Sequence, residues 1–194
     1  MAGRSRIFDE QRVIQLATAV FWEKGYEATS TDDLQAAMGI GKGSFYNAFP
    51  GGKKEVFEKA LDHFNTAAFE QLQQQVAVSK KPVFAILEFF RNIASDNRHT
   101  HMKGCLMGNT IAELSNVDKG LEQKAARRLQ QMETLFREVI TAAQLNGDLT
   151  TKAPADLLAR HLLNLWNGLG ITRRMYPTQA GLASLIEMNL AVIS

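Results

Sequence analysis

A chain of 194 residues, 45% of them hydrophobic and 22% charged, is long enough for one sizeable core or for a small domain joined to a larger one. Its formal net charge of +2 leaves bulk charge silent on nucleic acid, so any basic footprint must be local. A single cysteine excludes an internal disulfide and fits a reducing cytoplasm. The N-terminus, MAGRSRIFDEQ, lacks the apolar core of a signal peptide. The most apolar stretch, LLARHLLNLWNGLGI, is broken by Arg160, His161, Asn164 and Asn167 and is too short to span a bilayer, so a soluble protein without a membrane partner is expected.

In chain order the pattern is helical throughout. From about Asp9, Val13, Ile14, Ala17, Val20 and Phe21 recur at helical spacing, and Gly25 closes the helix. Ser30 stands three residues before Asp33, a capping box with Asp in place of Glu, and starts a short helix from Thr31 to Met38 that buries Leu34, Ala37 and Met38. Gly39 and Gly41 bracket Ile40 in a turn. A second short helix, Lys42 to Phe49, is stopped by Pro50-Gly51-Gly52. A long helix runs from Lys53 to about Val78 with Val56, Phe57, Ala60, Leu61, Phe64, Ala68 and Leu72 on one stripe. After Ser79-Lys80-Lys81, Pro82 suits the first turn of a helix reaching Asn97. A loop is expected over Asp96 to His101, a helix from near Met102 or Gly104 to Leu114, and another loop over Ser115 to Gly120. Helices follow from Leu121 to Asn146, from Pro154 to Tyr176, and from Thr178 onward. The expected fold is all-α, about nine helices, without strand alternation or repeats.

Two short helices joined by a glycine turn are stable only when packed on a third, and Ala17, Val20 and Phe21 offer that support. The pattern predicts a helix-turn-helix whose second helix presents its first turn to the major groove. Lys42 brings charge, Gly43 allows close approach, and Ser44 can exchange a hydrogen bond with a base edge. Tyr46 can reach a phosphate, and Asn47 an adenine or a phosphate. Thr29, Ser30 and Thr31 place hydroxyls and backbone N–H groups at a helix N-terminus, a natural phosphate site. Lys53 and Lys54 open the next helix, and Arg4 and Arg6 form a basic arm. Caps, turns and glycines also occur in any helical bundle, where Ser30 and Asp33 would only cap and the lysines would only be solvated.

The segment RVIQLATAVFWEKGYEATSTDDLQAAMGIGKGSFYNAFPGGKKEVF resembles the DNA-binding domain of the TetR family of transcriptional repressors. The shared elements are F-x-x-K-G-Y-x-x-T-S, a short acidic-capped helix, G-[IV]-x-K-G-[ST]-[FL]-Y-x-x-F, and a lysine-rich helix start. Two departures stand out. Gly41 takes the place of the family's usual Ser or Asn cap, and Pro50-Gly51-Gly52 is one residue longer than usual, which leaves Lys53 and Lys54 competing for one phosphate role. The resemblance implies a helix-turn-helix domain over residues 6–66 and an effector-binding and dimerisation domain over residues 67–194. It also implies a palindromic double-stranded DNA partner and a small-molecule effector.

The residues of the second region support parts of this. Leu157, Leu158, Leu162, Leu163, Leu165, Trp166, Leu169 and Ile171 make the helix from Pro154 apolar around most of its circumference. A terminal helix with Leu182, Leu185, Ile186, Leu190 and Ile193 follows. Paired with their symmetry mates, these last two helices would form a homodimer interface; alternatively they fold back on their own domain. GCLMGNTIAELS, Gly104 to Ser115, resembles the G-C-L-x-x-N-x-x-x-E motif of a family branch whose members respond to electrophiles and reactive small molecules. Cys105 lies near a helix N-terminus and Lys103, which favour a thiolate sensor. The usual fate of a free cysteine is a small buried hydrophobe, and a metal ligand with His99 and His101 is a third reading. Asn109 and Glu113 share its helix face, lining a cavity or bonding each other. His161, Trp166 and Asn167 point into a pocket or at the dimer interface, and Met102, Met107 and Met132 read as core filler.

No cofactor pattern, catalytic Ser/His/Asp arrangement or zinc spacing is present. The expected function is a cytoplasmic, homodimeric transcriptional repressor released from its operator by an effector, and not an enzyme. A small enzyme using Cys105 with His99 or His101, or a helical protein–protein adaptor, remain as rivals.

Overall fold

The computed structural model describes residues 9–176 and 181–193, excluding the side chains of residues 65–68. Arg4, Arg6, Ala68 as a packing residue, and Thr178 as a helix start lie outside the described residues. Among the described residues there are ten α-helices, one closing 3-10 turn and no strand, so the fold is all-α. The chain divides into two compact units, Met1–Phe64 and Asn65–Ser194.

The first unit begins with α1 (Glu10–Lys24), whose N-terminal N–H groups are met by the Asp9 carboxylate at 3.0 and 3.3 Å. Its apolar stripe buries Val13, Ile14, Ala17 and Phe21. Two short helices follow, α2 (Thr31–Met38) and α3 (Lys42–Ala48), and then α4 (Gly52–Val78), which continues into the second unit. Neither α2 nor α3 is long enough to hold itself together in water. What holds them is an aromatic core: Phe21 meets Phe57 edge-on at 4.7 Å, Tyr26 lies 4.8 Å from Phe57, and Phe45 and Phe49 are fully buried. Each such ring stabilises the unit by roughly 1.5–3 kcal/mol through burial. Val20 and Ala37 are only partly covered.

The second unit contains α5 (Pro82–Ile93), α6 (Arg98–Lys103), α7 (Leu106–Leu114), α8 (Lys119–Asn146), α9 (Ala155–Met175) and α10 (Leu182–Leu190), closed by the 3-10 turn Ala191–Ile193. Helix α8 packs against both α7 and α9. Phe90 and Phe136 sit 5.8 Å apart within a core that also holds Ile86, Leu162 and Ile186. Arg91 grips Glu187 through two nitrogens at 2.6 and 3.0 Å, tying α5 to α10.

Several expected bounds fail. Residues 96–101 are not simply a loop: α6 forms there because the Asn97 side chain accepts the N–H of Thr100 at 2.9 Å and His101 is buried. The following helix starts later than expected, at Leu106, because Gly104 (φ 63, ψ −146) and Cys105 are not helical. Asp118 caps α8 two residues earlier than expected, and Pro154 is the cap of α9 rather than its first helical residue.

Candidate nucleic-acid interface and the Cys105 cluster

Helix α3 has one buried residue, Phe45, which turns every other side chain of its first turn outward. Lys42, Gly43, Ser44, Tyr46 and Asn47 are all exposed and lie together on that surface. Tyr46, 43% exposed, is steadied by an edge contact with Phe45 at 5.2 Å and lies close to Gly52 at the start of α4. A Cβ added at Gly41 or Gly43 would meet nothing within 4 Å, so the start of α3 is open to a close-lying backbone. Gly39, at φ 67 and ψ 30, makes the left-handed turn that lets α3 project from α2. No side chain caps α3.

The α2 end is arranged differently from its sequence reading. Thr29 is 1% exposed, and its hydroxyl donates to the Gly25 carbonyl at 2.6 Å while its N–H donates to the Tyr26 carbonyl. It braces the turn and is not presented at the surface. The Ser30 hydroxyl accepts the Asp33 N–H at 3.0 Å and donates to the Asp33 carboxylate at 2.8 Å, and the Ser30 N–H donates to the same carboxylate at 2.9 Å. Lys24 reaches that carboxylate at 2.6 Å. The Lys24 ammonium first, then the Ser30 N–H and hydroxyl, hold the Asp33 carboxyl far below the usual carboxylate range. Thr31, half-buried, begins α2 beside them. Lys53 is half-buried, donates to the Tyr26 carbonyl at 3.1 Å, and lies 4.3 Å from the centre of the Tyr26 ring. It braces Tyr26, whereas Lys54 is exposed.

In the second unit Cys105 is 5% exposed and caps α7. Its Sγ accepts the Gly108 N–H at 3.5 Å and the indole N–H of Trp166 at 3.3 Å. The Trp166 ring stacks on Phe89 at 5.2 Å. Asn109 donates to the Lys103 carbonyl at 3.0 Å and accepts from Arg174 at 3.1 Å, and the same Arg174 nitrogen bonds the Lys103 carbonyl. Glu113 lies half-buried one turn further along α7. Cys105, Asn109 and Trp166 are thus brought together at the meeting of α7 and α9. His101 joins the Ile93 carbonyl at 3.0 Å and His161 the Asn189 carbonyl at 2.8 Å. Among the described residues no three His, Cys, Asp or Glu side chains are grouped to hold a metal ion.

The arginines were missed in the sequence. Arg173 is 5% exposed and faces Asp96 at 3.4 Å. Burial lowers its guanidinium from the ordinary arginine value, and Asp96 and then Cys105 act against that shift. Asn167 Oδ1, Arg173 Nε and Arg174 Nε are buried without a hydrogen-bond partner among the described residues. Two adjacent arginines ending a mostly apolar helix were the available signal.

Known proteins align with this geometry. Residues 13–60 match the model for bacterial regulatory proteins of the tetR family, and residues 81–188 that for a tetracyclin repressor-like C-terminal domain. The chain is 31% identical over 190 residues to the HTH-type transcriptional repressor DhaR of Mycobacterium sp. (strain GP1), spanning 93% of this chain and 91% of DhaR. It is 27% identical over 175 residues to the HTH-type transcriptional repressor ComR of Escherichia coli (strain K12), covering 89% and 82%. A cysteine mutant of the TetR family transcriptional regulator CifR, complexed with 26bp double-strand operator DNA, superposes with a TM-score of 0.87 at 24% identity, over 99% of this chain and 100% of that one. Among the described residues no helix is long and apolar enough to cross a membrane.

Proposed function

The chain belongs to the TetR family of bacterial regulatory proteins, and we propose that it is a homodimeric transcriptional repressor whose hold on a palindromic operator is released by a small molecule bound in the second unit. The observation that carries the DNA-binding half is the exposure of Lys42, Gly43, Ser44, Tyr46 and Asn47 around the single buried anchor Phe45. Thr29 and Lys53 take structural parts in this reading, while Ser30, Thr31 and Asp33 set the start of α2. The dimer is supported by α9, where Leu157, Asn164, Gly168, Ile171 and Met175 form an exposed stripe at helical spacing, and by exposed Met188 and Val192 at the end of the chain. Two recognition helices related by a two-fold axis fit successive major grooves only at one separation. An effector acts by binding one separation more tightly than another.

An operator selected from random DNA with the purified chain supplies the test. Lys42→Ala and Tyr46→Ala should weaken binding nearly uniformly across sequences without unfolding the protein. Ser44→Ala should cost about 1–3 kcal/mol and relax preference at one base pair. Unchanged affinity in all three variants would remove α3 as the reading helix.

A second trigger is favoured by the two N–H donors aimed at the Cys105 sulfur and by the buried arginine beside it. Alkylation of this thiol would displace the Trp166 indole and with it the contact of the α7 cap with α9. Release of the wild-type chain by a maleimide, with Cys105→Ser still bound, supports this trigger; equal release of both ends it.

A further inference from the structure

Two openings of the second unit share no lining residue with the Cys105 cluster. They lie along the second half of α4 and along α8, and their chemistry changes from one end to the other. One chamber, about 600 Å³, has an apolar wall that includes Val76, Phe84, Leu87, Val139, Ala143 and Ile193. The other, about 630 Å³, is lined by Gln73, Arg127, Arg128, Gln130, Gln131 and Thr134 among others. Leu135 and Glu138 line both, so the two chambers adjoin through a common wall. Each has the size of a small-molecule site.

The apolar chamber is more than a packing gap, because its rim leaves Phe84 52% exposed. Apolar surface left uncovered in a concavity favours an apolar occupant. The polar chamber is rich in donors. Two guanidiniums and three carboxamides line it together with two carboxylates, Glu70 and Glu138. Arg128 donates to Gln131 Oε1 at 3.2 Å. Glu138 stands at the common wall and bears on both chambers, while Lys81 and Asp148, which line the apolar chamber, cancel in charge. Along α8 the rise from Arg127 to Leu135 is on the order of 12 Å, and from Leu135 to Ala143 about the same again.

We propose that this groove binds a linear amphipathic anion, its carboxylate held by Arg127 and Arg128 and its apolar chain passing Leu135 into the chamber between α4, α5 and α8. As effector, such a molecule would relieve repression; that step rests on the function proposed above, whereas the binding itself does not.

Palmitate is the probe and hexadecanol, with the same chain and no charge, its control. The full-length protein is titrated calorimetrically with each, and operator affinity is measured separately with and without palmitate. Saturable binding of one palmitate per chain is expected, with at least tenfold weaker binding of hexadecanol. Arg127→Ala/Arg128→Ala should weaken palmitate at least tenfold, and Ala142→Trp should block it by filling the chamber. Arg127 and Ala142 are exposed and Arg128 is half-buried, and circular dichroism confirms that the variants fold. Absence of saturable binding, or equal binding by wild-type and both variants, overturns the site. Equal affinity for palmitate and hexadecanol overturns the anionic head. Palmitate that binds as expected but leaves operator affinity unchanged upholds the site and overturns its role as effector site. A chain that binds no DNA at all defeats the repressor reading and leaves the titration result standing.

Discussion

At the scale of single residues, Asp33 shows how a short helix is held at its start. Its carboxylate accepts from Lys24 and from both the N–H and the hydroxyl of Ser30, so its ionised form is strongly favoured in the folded chain. A lowered folded value means that the stabilisation is fully present above the unfolded value, about pH 4, and is gone once pH has fallen through the folded one. Asp33→Asn should therefore lower the melting midpoint at neutral pH, and the gap to wild type should close on acidification below about pH 4. Parallel melting curves at all pH values would show that the charge plays no part. Gly104 makes a different demand. At φ 63 and ψ −146, an added Cβ would sit 2.7 Å from the Gly170 carbonyl oxygen and 2.6 Å from Arg174. The arginine can move aside, but the carbonyl belongs to α9. Gly104→Ala should cost about 2–5 kcal/mol in denaturant unfolding, combining a backbone region open only to glycine with overpacking. A cost below about 1 kcal/mol would mean that the α6–α7 turn and α9 separate freely there.

At the scale of elements, α3 is the least supported helix of the first unit. It has seven residues, one buried side chain and no side-chain cap. Gly41 sits at its N-cap with φ −78 and ψ 163, a conformation any residue adopts, and with open space where a side chain would go. Gly41→Ser should raise stability by about 0.5–1 kcal/mol, from the new cap and the reduced freedom of the unfolded chain. A urea midpoint at or below wild type would show that the α3 start is already satisfied. Helix α6 makes the complementary case. Its six residues carry no apolar stripe, yet it forms because Asn97 caps it and His101 finds the Ile93 carbonyl.

At the scale of the whole molecule, α9 divides its apolar residues between two tasks. Leu158, Leu162, Leu165 and Leu169 enter the core of their own unit, while Leu157, Ile171 and Met175 remain exposed. Trp166 belongs to the inward set, stacked on Phe89 and bonded to Cys105. The outward stripe is therefore the place to test association. Ile171→Arg should yield monomers in light scattering with the unit still folded, and affinity for a palindromic site should fall by more than about tenfold. A chain that scatters as a monomer before any substitution would end the dimer mechanism.

Local signals in the sequence were enough for the all-α class, nearly every helix and the family resemblance. These follow from signals that act over a few residues: the Ser30–Asp33 box, the glycine stops at Gly25, Gly39 and Gly147, and apolar spacing at three and four. Most of the α3 surface was legible for the same reason, since one buried Phe45 in a seven-residue helix turns its neighbours outward. Which side chains stay available was set by long-range packing. Lys53 is drawn to Tyr26 across 27 positions, Trp166 to Cys105 across 61, and Arg173 to Asp96 across 77. It also decided which face of α9 is left uncovered, and that a polar cleft and an apolar chamber adjoin along α8. Partners so distant in the chain carry no local periodicity, and burial is a property of what packs against a residue, which a single sequence does not state.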